Sequence, residues 1–133
     1  MRKRRVALTL ELDDQVPPVI AVRDALLQIV LNLCLNAVQA QPDGGTVRIR
    51  VGVEVVEARS AVLLEIADAG PGIPASDRAA VLEPFYSTKR ARGGTGLGLP
   101  IVADIVRDLG GRIDLGEAPE GGLLVRITLP VEA

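Results

Sequence analysis

Thr46-Val47-Arg48-Ile49-Arg50-Val51-Gly52-Val53-Glu54-Val55-Val56-Glu57 alternates apolar and polar side chains almost without a break. Successive side chains of a strand point to opposite faces. Val47, Ile49, Val51, Val53 and Val55 therefore share one face, and Arg48, Arg50 and Glu54 share the other. Such a strand covers a core with one side and meets water with the other. Ala61 to Asp68 is the next strand, antiparallel to the first across Ala58-Arg59-Ser60. Val62, Leu64 and Ile66 have the same parity as Asp68, which puts a carboxylate at the end of the buried face.

Upstream, Val6 to Leu12 alternates like a half-buried strand, and Asp13-Asp14 with Pro17-Pro18 makes a turn or extended link. Val19 to Val22 has the composition of a short strand. Asp24 is placed to N-cap a helix running to about Gln41, which Pro42-Asp43-Gly44-Gly45 ends. Downstream, Ala75 to Leu82 reads as a short helix, and Glu83 to Gly94 has no periodicity. A second helix runs from about Gly98 to Leu109, with Ile101, Ile105 and Leu109 at helical spacing and Gly110-Gly111 as its cap. Arg112 to Leu115 and Leu123 to Leu129 are closing strands. The order of elements predicts a mixed sheet with helices on one face, a two-layer α/β sandwich of the α+β class.

At 133 residues the chain forms one domain spanning 1–133, with Met1-Arg2-Lys3-Arg4-Arg5 as a basic tail or the stub of an upstream segment. Apolar residues make up 48%, which excludes disorder. No apolar run is long enough to span a membrane, and no signal-peptide segment follows the basic start. Cys34 is the only cysteine, so disulfides play no part, and a cytoplasmic setting is expected whether or not a full-length protein is membrane-anchored. The net charge is −2 despite that basic start, so the body is acidic, which argues against nucleic-acid binding. There is no histidine or tryptophan, and Phe85 and Tyr86 are the only aromatics, so the core must be aliphatic.

Four groups of residues carry chemistry. The first helix is apolar nearly all round and so is expected to be buried. Gln28, Asn32, Asn36 and Gln39 interrupt it within an arc of about 80°. Because burying an unpaired amide costs about 1–3 kcal/mol, this stripe must face backbone partners or a wet pocket. Asp68, opening Asp68-Ala69-Gly70-Pro71-Gly72, forms either an Asx turn or an acceptor for a base amine, with the glycines leaving room for a flat ring. Gly93-Gly94-Thr95-Gly96-Leu97-Gly98-Leu99-Pro100 runs into a helix start, where backbone N–H groups favour phosphate oxygens. Glu83-Pro84-Phe85-Tyr86-Ser87-Thr88-Lys89 lies between the two glycine turns as a candidate lid. Gly70 to Ala75 fits a dinucleotide fingerprint only as a string, because two prolines interrupt it and Lys89-Arg90 stands where a ribose-binding acid belongs. There is no P-loop, no Cys/His zinc cluster and, without histidine, no Ser/His/Asp set.

Asn32-Leu33-Cys34-Leu35-Asn36-Ala37, Asp68-Ala69-Gly70-Pro71-Gly72, Pro84-Phe85-Tyr86-Ser87-Thr88-Lys89 and Gly94-Thr95-Gly96-Leu97-Gly98-Leu99 resemble, in order, the N, G1, F and G2 boxes of sensor histidine kinases. The resemblance runs from about Val6 to Leu129. It is to the catalytic ATP-binding domain, of Bergerat-type fold, in the superfamily of gyrase, Hsp90, histidine kinases and MutL. The wording of the boxes is nearest to nitrogen-regulation-type sensor kinases.

The resemblance implies ATP and Mg²⁺ as ligands. Asn36 would ligate the metal, Asn32 would line the phosphate side, and Asp68 would accept from the adenine amino group. Gly70, Gly72 and Ile73 would shape the adenine pocket. Phe85 and Thr88 would belong to the lid, and Thr95, Gly96, Leu97, Gly98 and Leu99 would border the phosphates. Many relatives carry a lysine or arginine soon after the metal-binding asparagine. Here Ala40 and Gln41 follow, so that role is unfilled or moves to Lys89. ATP-hydrolysing members place a glutamate where Asn32 stands, and an amide cannot act as a general base, so transfer is expected rather than hydrolysis. Asn32 and Lys89 are thus the candidate catalytic residues. The phosphoacceptor histidine of the family lies on a separate dimerisation hairpin, supplied in cis or in trans, with a response regulator downstream. No contact with nucleic acid or membrane is expected of this domain. An anti-sigma-type serine kinase or binding module and a hydrolytic ATPase are the alternatives within the superfamily.

Overall fold

The computed structural model describes residues 6–12, 23–82 and 98–130. Its elements are β1 (Val6–Leu12), α1 (Arg23–Gln39), β2 (Gly45–Val56), β3 (Arg59–Asp68), two single 3₁₀ turns at Ala75–Asp77 and Ala80–Leu82, α2 (Gly98–Asp108), β4 (Arg112–Glu117) and β5 (Leu123–Pro130). The five strands form one sheet in the order β1-β2-β3-β5-β4. β1 runs parallel to β2, and every other pair is antiparallel. Parallel neighbours need a crossover, and α1 lies in it.

The expected mixed two-layer sandwich is the observed architecture. Ile29, Leu33 and Ala37 of α1 and Leu99, Val102 and Val106 of α2 pack on the inward face of the sheet, against Val47, Ile49, Leu64, Ile66, Val125 and Ile127. The core is aliphatic: its largest fully buried side chains are Ile29, Ile127, Val102 and Val106. At the end of α2, Gly110 adopts φ +77°, and Gly110 and Gly111 donate to the carbonyls of Arg107 and Val106. This is the paired bonding of a Schellman cap, as the two glycines predict.

Several local expectations are corrected. α1 starts at Arg23, so Asp24 sits inside its first turn, where a carboxylate favours the helix N-terminus, rather than capping it from outside. The helix ends at Gln39, and Gln41 lies beyond it. Nor is α1 buried all round: Leu27, Leu31, Leu35 and Val38 form an exposed stripe beside the amides, because the sheet covers only one side of the helix. On α2 the buried residues are Leu99, Val102, Ala103 and Val106, while Ile101 is exposed. The stretch from Ala75 to Leu82 is two 3₁₀ turns rather than one helix. The β2–β3 turn lies at Glu57-Ala58, one residue earlier than the sequence implied, with both residues at positive φ and Val56 paired to Arg59. The strand proposed at Val19 to Val22 lies outside the described residues.

The other face of the sheet carries a row of charges in register across all five strands: Glu11, Arg50, Glu65, Arg126 and Asp114. Signs alternate along the row, so each neighbour attracts the next. Glu65, at its centre, is almost fully buried and bridged by Arg50 at 3.0 Å and Arg126 at 2.8 Å. Among the described residues, no helix is long and apolar enough to cross a membrane.

Candidate functional site

α1 supplies one wall of the site. Gln28, Asn32, Asn36 and Gln39 line a cavity of about 260 Å³ together with Leu35, Gly98 and Ile101. The amide stripe therefore faces open space, and its only internal pairing among the described residues is Gln28 Nε2 donating to Asn32 Oδ1 at 3.0 Å. The described lining residues are uncharged. Gly98, the first residue of α2, lies beside α1 with ordinary van der Waals room for a Cβ. A Cβ there would lie 3.5 Å from the Asn32 carbonyl oxygen and 3.9 Å from Asn36 Oδ1. The described start of α2 thus lies beside the two asparagines, and a helix N-terminus favours anionic oxygen.

Asp68 ends β3 on the core side and is 3% exposed. Its Oδ1 accepts the N–H of Gly70 at 2.8 Å and that of Leu123 at 3.1 Å. The first of these bonds is the Asx turn; the second holds the carboxylate to β5. Burial pushes the Asp68 carboxyl above its ordinary range, against the opposing pull of the two N–H groups. No lysine or arginine pairs with it among the described residues. The loop after it is wedged between two neighbours. A Cβ on Gly70 would sit 2.9 Å from the Ala40 carbonyl oxygen, and Gly72, at φ +74°, lies against the backbone of Gly121 and Gly122. The amide stripe and the Asp68 loop are thus both placed by α1 but at different heights: Asn32 in the helix and Ala40, just past its end, are separated by about 12 Å of axial rise.

Of the residues singled out from sequence, Asn32, Asn36 and Gly98 come together at the cavity, whereas Asp68, Gly70, Gly72 and Ile73 lie on a loop packed past the end of α1 that contributes no residue to the described lining. Leu99 belongs to the core instead. Phe85, Thr88, Lys89, Thr95, Gly96 and Leu97 lie outside the described residues. Three residues were missed. Gly122 leaves the room that Asp68 needs, since a Cβ there would run into the carboxylate and approach the Gly70 nitrogen to 2.6 Å. Leu123 contributes through its N–H alone, so its side chain carries no signal. Gln41 looked like a helix end but is buried. The β4–β5 turn that presents Gly122 is itself tied to β2 by Arg48 and Glu120, whose Nε–Oε2 distance is 2.8 Å. Cys34 is half-buried, and desolvation raises its thiol pKa, which lowers its thiolate fraction. Among the described residues, no three His, Cys, Asp or Glu side chains gather to hold a metal.

Comparisons with known proteins identify the family. Residues 21–133 match the family described as histidine kinase-, DNA gyrase B- and HSP90-like ATPase. The sensory histidine kinase/phosphatase NtrB of Rhodobacter capsulatus is 38% identical over 128 residues, which are 90% of this chain and 35% of that protein. The chain thus spans about a third of the length of that curated relative, and 21% of the alginate biosynthesis sensor protein KinB of Pseudomonas aeruginosa, which is 34% identical over 96% of the chain. Among solved structures, the mycobacterial sensor histidine kinase MprB superposes with a TM-score of 0.77 at 32% identity, covering 94% of this chain and 81% of that one. The chain belongs to the histidine kinase-, DNA gyrase B- and HSP90-like ATPase family.

Proposed function

We propose that this domain binds ATP with Mg²⁺ and presents the γ-phosphate to a histidine on a separate dimerisation domain, as the catalytic part of a two-component sensor kinase. The observation that carries the reading is Asp68: a buried carboxylate without a cationic partner among the described residues, opening a tightly packed glycine loop past the end of the helix whose amides line the cavity. A carboxylate in that position accepts a hydrogen bond from an exocyclic amine and discriminates against bases that lack one. Gly70, Gly72 and Ile73 would shape the pocket for the ring.

The triphosphate would run along α1 toward Asn32, Asn36 and the N-terminus of α2, with Gly98 and the Thr95–Leu97 stretch at its border. The donor set suits Mg²⁺, which keeps several waters and takes few protein ligands, and Asn36 Oδ1 offers it one hard neutral oxygen. Bound there, the metal would offset phosphate charge. Asn32 orients phosphate but cannot take a proton from water, which favours transfer over hydrolysis. Lys89, Phe85 and Thr88 are assigned to the lid, with Lys89 as the γ-phosphate contact, and Leu99 anchors α2 behind the phosphates. Catalysis would then be positioning and charge stabilisation, with the acceptor histidine brought by its own domain and a response regulator taking the phosphoryl group afterwards. We place the domain in the cytoplasm, without contacts to nucleic acid or membrane.

The test has two steps. Calorimetric titration with Mg²⁺ and a non-hydrolysable ATP analogue should give one site per chain, lost in Asn36→Ala. Incubation with labelled ATP and a histidine-bearing hairpin from a relative should yield acid-labile phosphate on that hairpin and none on this chain. Steady phosphate release without an acceptor, or acid-stable phosphoserine on a protein partner, would instead place the domain with the hydrolytic or serine-kinase members.

A further inference from the structure

Gln41 follows the last turn of α1 and is 5% exposed. Its amide uses its full hydrogen-bonding capacity. Nε2 donates to the carbonyl oxygens of Ala37 at 3.1 Å and Thr46 at 2.8 Å. Oε1 accepts the N–H of Thr46 at 3.0 Å and of Ala69 at 3.2 Å. A primary amide offers two donors and two acceptor sites, so all four are occupied, and only this orientation of the group matches its partners. Gly45 leaves the space, since a Cβ there would collide with Oε1.

Closing the end of α1 onto β2 needs only the bonds to Ala37 and Thr46. The fourth bond does something else. It reaches 28 residues along the chain to Ala69, the residue directly after Asp68. Among the described residues, it is the one hydrogen bond between the end of α1 and the Asp68 loop. On its far side the loop is held by the Leu123 N–H on Asp68.

We propose that Gln41 is a positioning residue for nucleotide recognition, a role that rests on the reading of Asp68 given above. Its Oε1 fastens the Asp68–Gly70 loop to the helix bearing Asn32 and Asn36. The separation between the base-binding carboxylate and the phosphate-side amides is thereby fixed before any ligand arrives. Small misplacements of a recognising group are costly, so a loop released from α1 still folds but discriminates poorly.

The test compares Kd for Mg²⁺ complexes of non-hydrolysable adenosine and inosine triphosphate analogues, the second lacking the exocyclic amine. The wild-type chain should prefer adenosine by about 10- to 100-fold, as one hydrogen bond to a charged acceptor provides. Gln41→Met removes all four bonds at similar volume and should cut that preference at least about fivefold. Gln41→Glu keeps an acceptor for Ala69 and should retain the preference while lowering stability. Leu129→Ala, a core truncation at the far end of β5 from Leu123, should lower stability and leave the preference intact.

A wild-type preference in Gln41→Met overturns the role of Gln41 and leaves the reading of Asp68 standing. Equal loss in Leu129→Ala also overturns it, because general loosening then suffices. No preference in the wild type overturns the reading of Asp68 and this role with it. If Gln41→Met does not fold, hydrogen exchange on the wild type decides. The Ala69 amide should be protected to the level of α1 core amides such as Leu33, and exchange at the rate of an open loop overturns the role.

Discussion

Glu65 and Asp68 stand three residues apart on one strand, both almost fully buried, on opposite faces of the sheet. Their surroundings differ completely. Glu65 is clasped by Arg50 and Arg126, and these hydrogen bonds outweigh the cost of burial and hold its carboxyl below the ordinary range. Among the described residues Asp68 has only two backbone N–H groups, and burial wins, raising its carboxyl above the ordinary range. A buried carboxylate supplied with cations serves the fold. One left without them costs the fold something, which marks Asp68 as a candidate functional residue.

The largest effect that could break this contrast is on binding. Asp68→Asn keeps an acceptor for Gly70 and Leu123 but removes the charge, and should lower affinity for the ATP analogue about 100-fold. Glu65→Gln should change it less than about threefold, and equal losses by calorimetry would erase the distinction. Next, Gly122→Ala moves the Asp68 carboxylate without replacing it and should cost about tenfold in affinity, read in the same titration.

Stability should divide the other way. Glu65→Ala leaves two half-exposed arginines unpaired and should cost about 1–2 kcal/mol in urea unfolding, whereas Asp68→Asn should cost nothing or stabilise the empty domain. The smallest effect is the sign of a pH slope. The folded pKa of Glu65 lies below its ordinary 4.5, so its contribution is present above that value and fades as pH falls through the folded pKa. The folded pKa of Asp68 lies above its ordinary 3.8, so folding favours its protonated form, and that contribution fades as pH rises through the folded pKa. Over about pH 3 to 6, the stability of wild type minus Glu65→Gln should rise, and that of wild type minus Asp68→Asn should fall.

Alternation made the sheet legible. The parity that put Asp68 on the core side holds, because Asp68 pairs with buried Val47. The amide stripe was legible because four polar residues on an apolar helix demand an explanation. What covers a helix was not: Leu31 and Leu33 are chemically alike, yet one is exposed and the other is core, since only tertiary packing selects the side. Turn chemistry misled at Glu57-Ala58, where neither residue advertises a positive φ. Gln41 and Gly122 were invisible as site residues because each acts on a neighbour distant in sequence, one by a hydrogen bond and one by the absence of a side chain.

The adjacency of the chain's two aromatic residues has a spectroscopic consequence. With no tryptophan, and with Phe85 and Tyr86 adjacent, every aromatic chromophore of the chain belongs to one dipeptide. Near-ultraviolet dichroism and tyrosine fluorescence therefore monitor that dipeptide alone, while far-ultraviolet dichroism monitors the backbone of the whole. Melting curves recorded with the two signals will coincide if the dipeptide and the sheet unfold as one unit, and part if they do not, without any label being introduced.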